Sequence, residues 1–139
     1  MTVAVDAEIT ALMRSLRVQR GHVLGTVEGL SEEALRRPVL PSGWSCLGMV
    51  QHLTLSVERM WFRAVVAGDP EVIDLVGSQD SPWQVALGVP AADVLDRYRN
   101  EASLADAVIA ASSADADLLW WPSRRASGAC TVFGTSCSM

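Results

Sequence analysis

Few side chains in this sequence can do chemistry beyond packing. The chain has two histidines, His22 and His52, and three cysteines, Cys46, Cys130 and Cys137. His52 lies in GMVQHLTLSVERMWF, residues 48–62, a run that is otherwise nearly all apolar on a helical reading. Judged by its neighbours alone, it is a helix histidine satisfied by a hydrogen bond or by solvent beside Ser56 and Arg59. As a metal site, one neutral imidazole plus water is a poor holder of a divalent ion, and nearby Arg59 and Arg63 make the electrostatics worse. Glu58 sits about 120° around a helix from His52, so it pairs with an arginine or faces solvent more readily than it joins a ligand set. The cysteines form an odd set with no close pair and read as reduced thiols. Cys130 and Cys137 lack the spacing and the neighbouring histidine of a zinc site.

Helices must position these residues. From Asp6 to about Glu28, Ile9, Leu12, Met13, Leu16, Val23, Leu24 and Val27 recur at threes and fours, a helical period that Gly29 ends. Ser31 caps a short turn, SEEALRR, whose early glutamates suit the positive end of a helix. Pro38 and Pro41-Ser42-Gly43 make a loop, and Ser45 is the next N-cap, opening a long helix to about Ala67. At 100° per residue this helix has two apolar strips. Val50, Leu53, Val57, Met60, Trp61 and Ala64 form one, and Leu55, Phe62 and Val66 the other. Between them lies a polar wedge of His52, Ser56, Arg59 and Arg63, the arginines being a solvated face or contacts for an anionic ligand.

Gly68-Asp69-Pro70 ends that helix. The connection to about Val89 is long and aperiodic, suiting a crossover over the end of a bundle. Pro90 opens a third long helix, with Val94, Leu95, Tyr98, Ala102, Ala105, Val108 and Ile109 on one side, which fades at Ser112-Ser113. Trp44, Trp61 and Trp83 are pocket walls or, more in keeping with bundle chemistry, core and loop anchors. Past Trp120-Trp121-Pro122 the chain turns rich in Gly, Ser, Thr and Cys and loses the helical period. The expected organisation is an all-α bundle over residues 1–121, lacking a regular fourth long helix, followed by an irregular tail over 122–139.

Length and charge narrow the function classes. At 139 residues the chain is long enough for one packed domain. Its net charge is −5 and all eleven basic residues are arginines, which argues against a nucleic-acid surface built on clustered positive charge. No stretch reaches the roughly 20 apolar residues of a spanning helix, and Asp6 and Glu8 stand where a signal peptide would want positive charge, with no apolar h-region following. A cytoplasmic protein acting without membrane or nucleic acid is expected.

The segment LRVQRGHVLGTVEGLSEEALRRPVLPSGWSCLGMVQHLTLSVERMWFRAVVAG resembles the N-terminal half of the DinB/YfiT-like metalloenzyme family, in its actinobacterial branch. The resemblance rests on the arginine-bearing first helix, the GLSEEAL turn, the PSGWS loop and the helix reading LGMVQHL…VERMWF. It continues more loosely through DVLDRYRNEASLADAVIAA, covering about residues 10–119. It implies a four-helix bundle holding a divalent metal, zinc or nickel, on three histidines, the first of which falls on His52. It also implies a low-molecular-weight thiol such as mycothiol or bacillithiol, activated as thiolate for S-transfer or isomerisation.

The chain departs from that pattern downstream. The family's other two ligands are a histidine pair one turn apart on the last helix, and no histidine follows His52. A shifted reading frame or truncated gene copy beyond Trp121 would account for the change. The expected protein is therefore a DinB-like relative of metal-dependent thiol transferases with an incomplete metal site at His52. The alternative is a non-enzymatic helical module that forms homodimers through the uncovered apolar face. Leaving about 500 Å² of apolar surface bare would forfeit on the order of 12 kcal/mol.

Overall fold

In a computed structural model, residues 2–39, 41–76, 83–113, 115 and 117–121 are described. The expected irregular tail, with Cys130 and Cys137, lies outside them. Every regular element among the described residues is helical. They are α1 (Thr2–Val27), α2 (Glu32–Arg36), α3 (Cys46–His52), a π-helical continuation of α3 (Leu53–Val66), α4 (Pro70–Leu75) and α5 (Ala91–Ala110). Counting α3 and its continuation as one rod gives three long helices, in line with an all-α bundle. None of the described helices is long and apolar enough to cross a membrane.

The helix ends follow from local chemistry. The Ser31 hydroxyl accepts a hydrogen bond from the Ala34 N–H at 3.1 Å, and the Ser45 hydroxyl accepts one from Gly48 at 3.0 Å. Each satisfies an amide that the first turn leaves free. α4 falls inside the connection expected to lack structure. Asp69 caps it by accepting from the Glu71 N–H at 3.1 Å, and Pro70 fills the first helical position.

The long rod changes register at His52. From Leu53 onward it is π-helical, and the Ala67 N–H still reaches back five residues to the Phe62 carbonyl at 3.0 Å. More residues per turn means less than 100° per residue, so azimuths drawn on α-helical steps drift along this segment. The buried side chains on the rod are accordingly Leu47, Val50, Thr54, Glu58, Ala64 and Val65: of the strip expected from Val50 to Ala64, its two ends are buried, while Leu53, Val57, Met60 and Trp61 are half-buried.

The apolar core gathers where the end of α1, α2, α3 and the start of α5 meet. Val27, Leu35, Leu47, Val50, Ala91, Val94 and Tyr98 form it. At the opposite end α1 stands away from its neighbours. Leu12 there is 58 % exposed, beside an open groove lined by Ile9, Met13, Leu16, Phe62, Val66 and Ile109.

Two ionic clusters tie the long helices together. Arg20 of α1 holds Glu58 of the π-helical segment through Nε and Nη2, at 2.8 and 2.7 Å, and Asp106 of α5 through Nη1 at 2.5 Å. Glu101 of α5, 1 % exposed, takes Arg59 at 3.2 Å and Arg63 at 2.9 Å, while Arg63 also reaches Asp69 at 3.3 Å. The expectation that Glu58 pairs with an arginine is met. The expectation of a solvated arginine face is not: Arg59 and Arg63 are spent on a buried carboxylate.

Candidate functional site

His52 ends α3, at the turn where the register widens. Its ring lies flat against Trp83, with centroids 3.7 Å apart and planes 11° from parallel. Trp44 stacks on Trp83 at the same 3.7 Å, 9° from parallel. Two rings cannot share one face of Trp83 at that spacing, so its indole is sandwiched between His52 and Trp44. Of the three tryptophans singled out in the sequence, the structure brings Trp44 and Trp83 to His52. Trp61 lies elsewhere, edge-on to Trp121 at 5.7 Å.

The segment carrying Trp83 is pinned from several sides. Gly48 is buried against it, and a Cβ there would run into the Trp83 carbonyl oxygen. The Gln51 amide donates to the Gln84 carbonyl at 2.9 Å. Arg36 donates to the carbonyls of Ala86 and Val89, and Glu32, held by Arg36 at 3.0 Å, accepts from the Ala91 N–H at 3.2 Å. The short helix α2 therefore anchors both the crossover and the start of α5.

Burial lowers the His52 pKa below the ordinary histidine value, which keeps the ring in the neutral form that a metal needs. Its Nδ1 is buried with no hydrogen-bond partner among the described residues. The hydrogen bond expected beside Ser56 and Arg59 is not made at Nδ1: Arg59 turns to Glu101 and Trp83 packs on the ring, which stays half-buried.

A three-histidine centre does not fit this chain. His22 is exposed on α1, and no third histidine exists. Among the described residues no three His, Cys, Asp or Glu side chains assemble where an ion could sit. The buried carboxylates on the rod and on α5, Glu58 and Glu101, are held by arginines.

Sequence reasoning missed Glu101, Arg20 and the placement of Trp83. Charged residues ordinarily read as surface, and a ring stack between residues 52 and 83 leaves no periodic trace. Asp69-Pro70-Glu71 was a readable signal for α4.

Residues 11–132 match a family model described as mycothiol S-transferase. The chain belongs to the mycothiol S-transferase family. The matched range continues past Trp121, so family likeness does not stop where the composition changes. No curated protein and no solved structure matches the chain. Within this mycothiol S-transferase relative the described residues form a helical bundle, and no further donors gather around His52 among them.

Proposed function

We propose that this protein handles a low-molecular-weight thiol of the mycothiol class on the family's helical scaffold, without a divalent-metal centre of its own. The family match supports the thiol. The state of His52 supports the second part: one neutral imidazole, stacked under Trp83, with its Nδ1 unpaired and no companion donors among the described residues. Zinc, where a relative has it, lowers the pKa of a bound thiol. Here His52 is a vestige of that position, and no chemical step is assigned to an ion. This reading carries with it a reducing, cytoplasmic setting, in which Cys46 stays a free thiol.

The test is a pair of measurements on the purified full chain. Calorimetry with mycothiol should give saturable binding, while S-transfer to a bimane electrophile should not rise above the uncatalysed rate when zinc or nickel is added. Metal-dependent turnover that His52→Ala abolishes would overturn the reading.

A second reading has its own observation, the groove beside the first half of α1 with Leu12 exposed. On that reading the protein is a non-enzymatic module whose copies associate through this face. A concentration-dependent dimer by light scattering, dispersed by Leu12→Glu, is its signature, and a stable monomer at all concentrations contradicts it.

A further inference from the structure

A cavity of about 230 Å³ opens between the last turns of α1, the loop before α3, and α3 itself. Val23 and Val27 of α1, Val39 and Trp44 of the loop, and Met49 and Leu53 of the rod form its walls. No charged side chain lines it among the described residues. Its two hydroxyl-bearing residues are already engaged: Thr26 donates to the His22 carbonyl at 2.8 Å, and Ser45 accepts from the Gly48 N–H at 3.0 Å. The polar capacity of the described lining is thus small and uncharged: what remains of these two hydroxyls, the Trp44 indole N–H and the Cys46 thiol.

The walls are held apart by the backbone. The loop is closed by the Val39 N–H donating to the Trp44 carbonyl at 2.9 Å. Gly43 turns it with φ +84°, a left-handed conformation that a side chain would strain. Trp44 is fixed by its stack on Trp83. Collapse onto the cavity would break these contacts. A dry apolar cavity of about 150 Å³ accepts benzene, so this larger one has room for a second fused ring.

We propose that this cavity is a binding site for small uncharged aromatic groups of up to two fused rings. Trp44 forms one flat wall, and its other neighbour in the stack leads through Trp83 to His52. A ligand here sits one indole away from the family's metal position. The site does not depend on the thiol reading, since it needs neither thiol nor ion.

The probe is naphthol, titrated into the full chain by calorimetry, with naphthalene sulfonate as the charged control. Expected is saturable binding at one site per chain, weakened about tenfold or more by the sulfonate, whose charge no cationic side chain of the described lining offsets. Val23→Phe, which fills the space, should weaken naphthol binding by a similar factor. Leu12→Glu, in the distant open groove, should leave it unchanged. In a Cys130→Ser, Cys137→Ser background, naphthol should also slow alkylation of Cys46, which lines the cavity. Absence of saturable binding, equal binding of the sulfonate, or undiminished binding to folded Val23→Phe would overturn the proposal. If Val23→Phe does not fold, the alkylation rate decides, and a rate unaffected by naphthol overturns it. Loss of naphthol binding would leave mycothiol binding untouched, so the two failures are distinguishable.

Discussion

The guanidinium of Arg20 grips the carboxylate of Glu58 with two parallel hydrogen bonds, 2.8 and 2.7 Å long, across 38 residues of sequence. Both side chains are nearly sealed from water, at 7 % and 3 % exposure. Burial lowers the Arg20 pKa, but its hydrogen bonds to Glu58 and Asp106 outweigh that and raise it overall. Removing Glu58 leaves a buried guanidinium with Asp106 as its one remaining carboxylate among the described residues. Glu58→Ala should cost about 3–5 kcal/mol in urea unfolding. The double change Arg20→Met with Glu58→Leu should cost clearly less, because the one charge it leaves unpaired, on Asp106, is 32 % exposed and reaches water. Equal losses would show that the pair itself, and not the orphaned charge, carries the energy.

Glu101 is the more deeply buried acid, yet its removal should be milder. Its partners Arg59 and Arg63 keep 20 % and 22 % side-chain exposure and can swing toward water, whereas Arg20 cannot. Glu101→Leu should therefore destabilise less than Glu58→Ala, by roughly 1 kcal/mol or more. The reverse order in parallel denaturation curves would contradict this account.

Two glycines on helices make a matched comparison. Gly48→Ala pushes a methyl group into the Trp83 carbonyl, so the crossover must shift, at about 1–3 kcal/mol. Near-ultraviolet circular dichroism should change as the Trp44–Trp83–His52 stack loosens. Gly25→Ala meets nothing within 4 Å and should stabilise α1 by about 0.5–1 kcal/mol. A neutral Gly48→Ala would mean that the crossover is not seated on α3.

Tyr98 is the chain's one tyrosine, which makes its ionisation directly readable by ultraviolet absorbance. Burial first, and then the negative charge of Glu58, raise its pKa above the ordinary value of 10, with Arg20 opposing. The folded state therefore holds the phenolic proton more tightly than the unfolded chain does. That contribution is intact below about pH 10 and is lost as pH rises through the folded pKa. Native protein should show a later absorbance midpoint than protein in urea. Coincident midpoints would place Tyr98 in water.

The sequence marked helix ends well because each depends on a few adjacent residues. Ser31, Gly29, Ser45 and Pro90 all stand where the structure starts or stops a helix. Burial along the rod was less legible, since an α-helical period misplaces side chains once the register widens after His52. Least legible were the contacts that define the candidate site. Glu58 and Glu101 are buried acids whose partners lie on other helices, and Trp83 reaches His52 only through the crossover. His52 itself could be picked out by family resemblance, but its isolation follows from counting histidines and from the side chains that the fold places around it.

The central claim is that His52 stands without companion metal donors among the described residues. It is tested most directly by equilibrating wild type and His52→Ala with zinc or nickel, desalting both, and measuring bound ion per chain by mass spectrometry. The account predicts that both retain the same small amount, well below one ion per chain. One ion per wild-type chain, absent from His52→Ala, would contradict it.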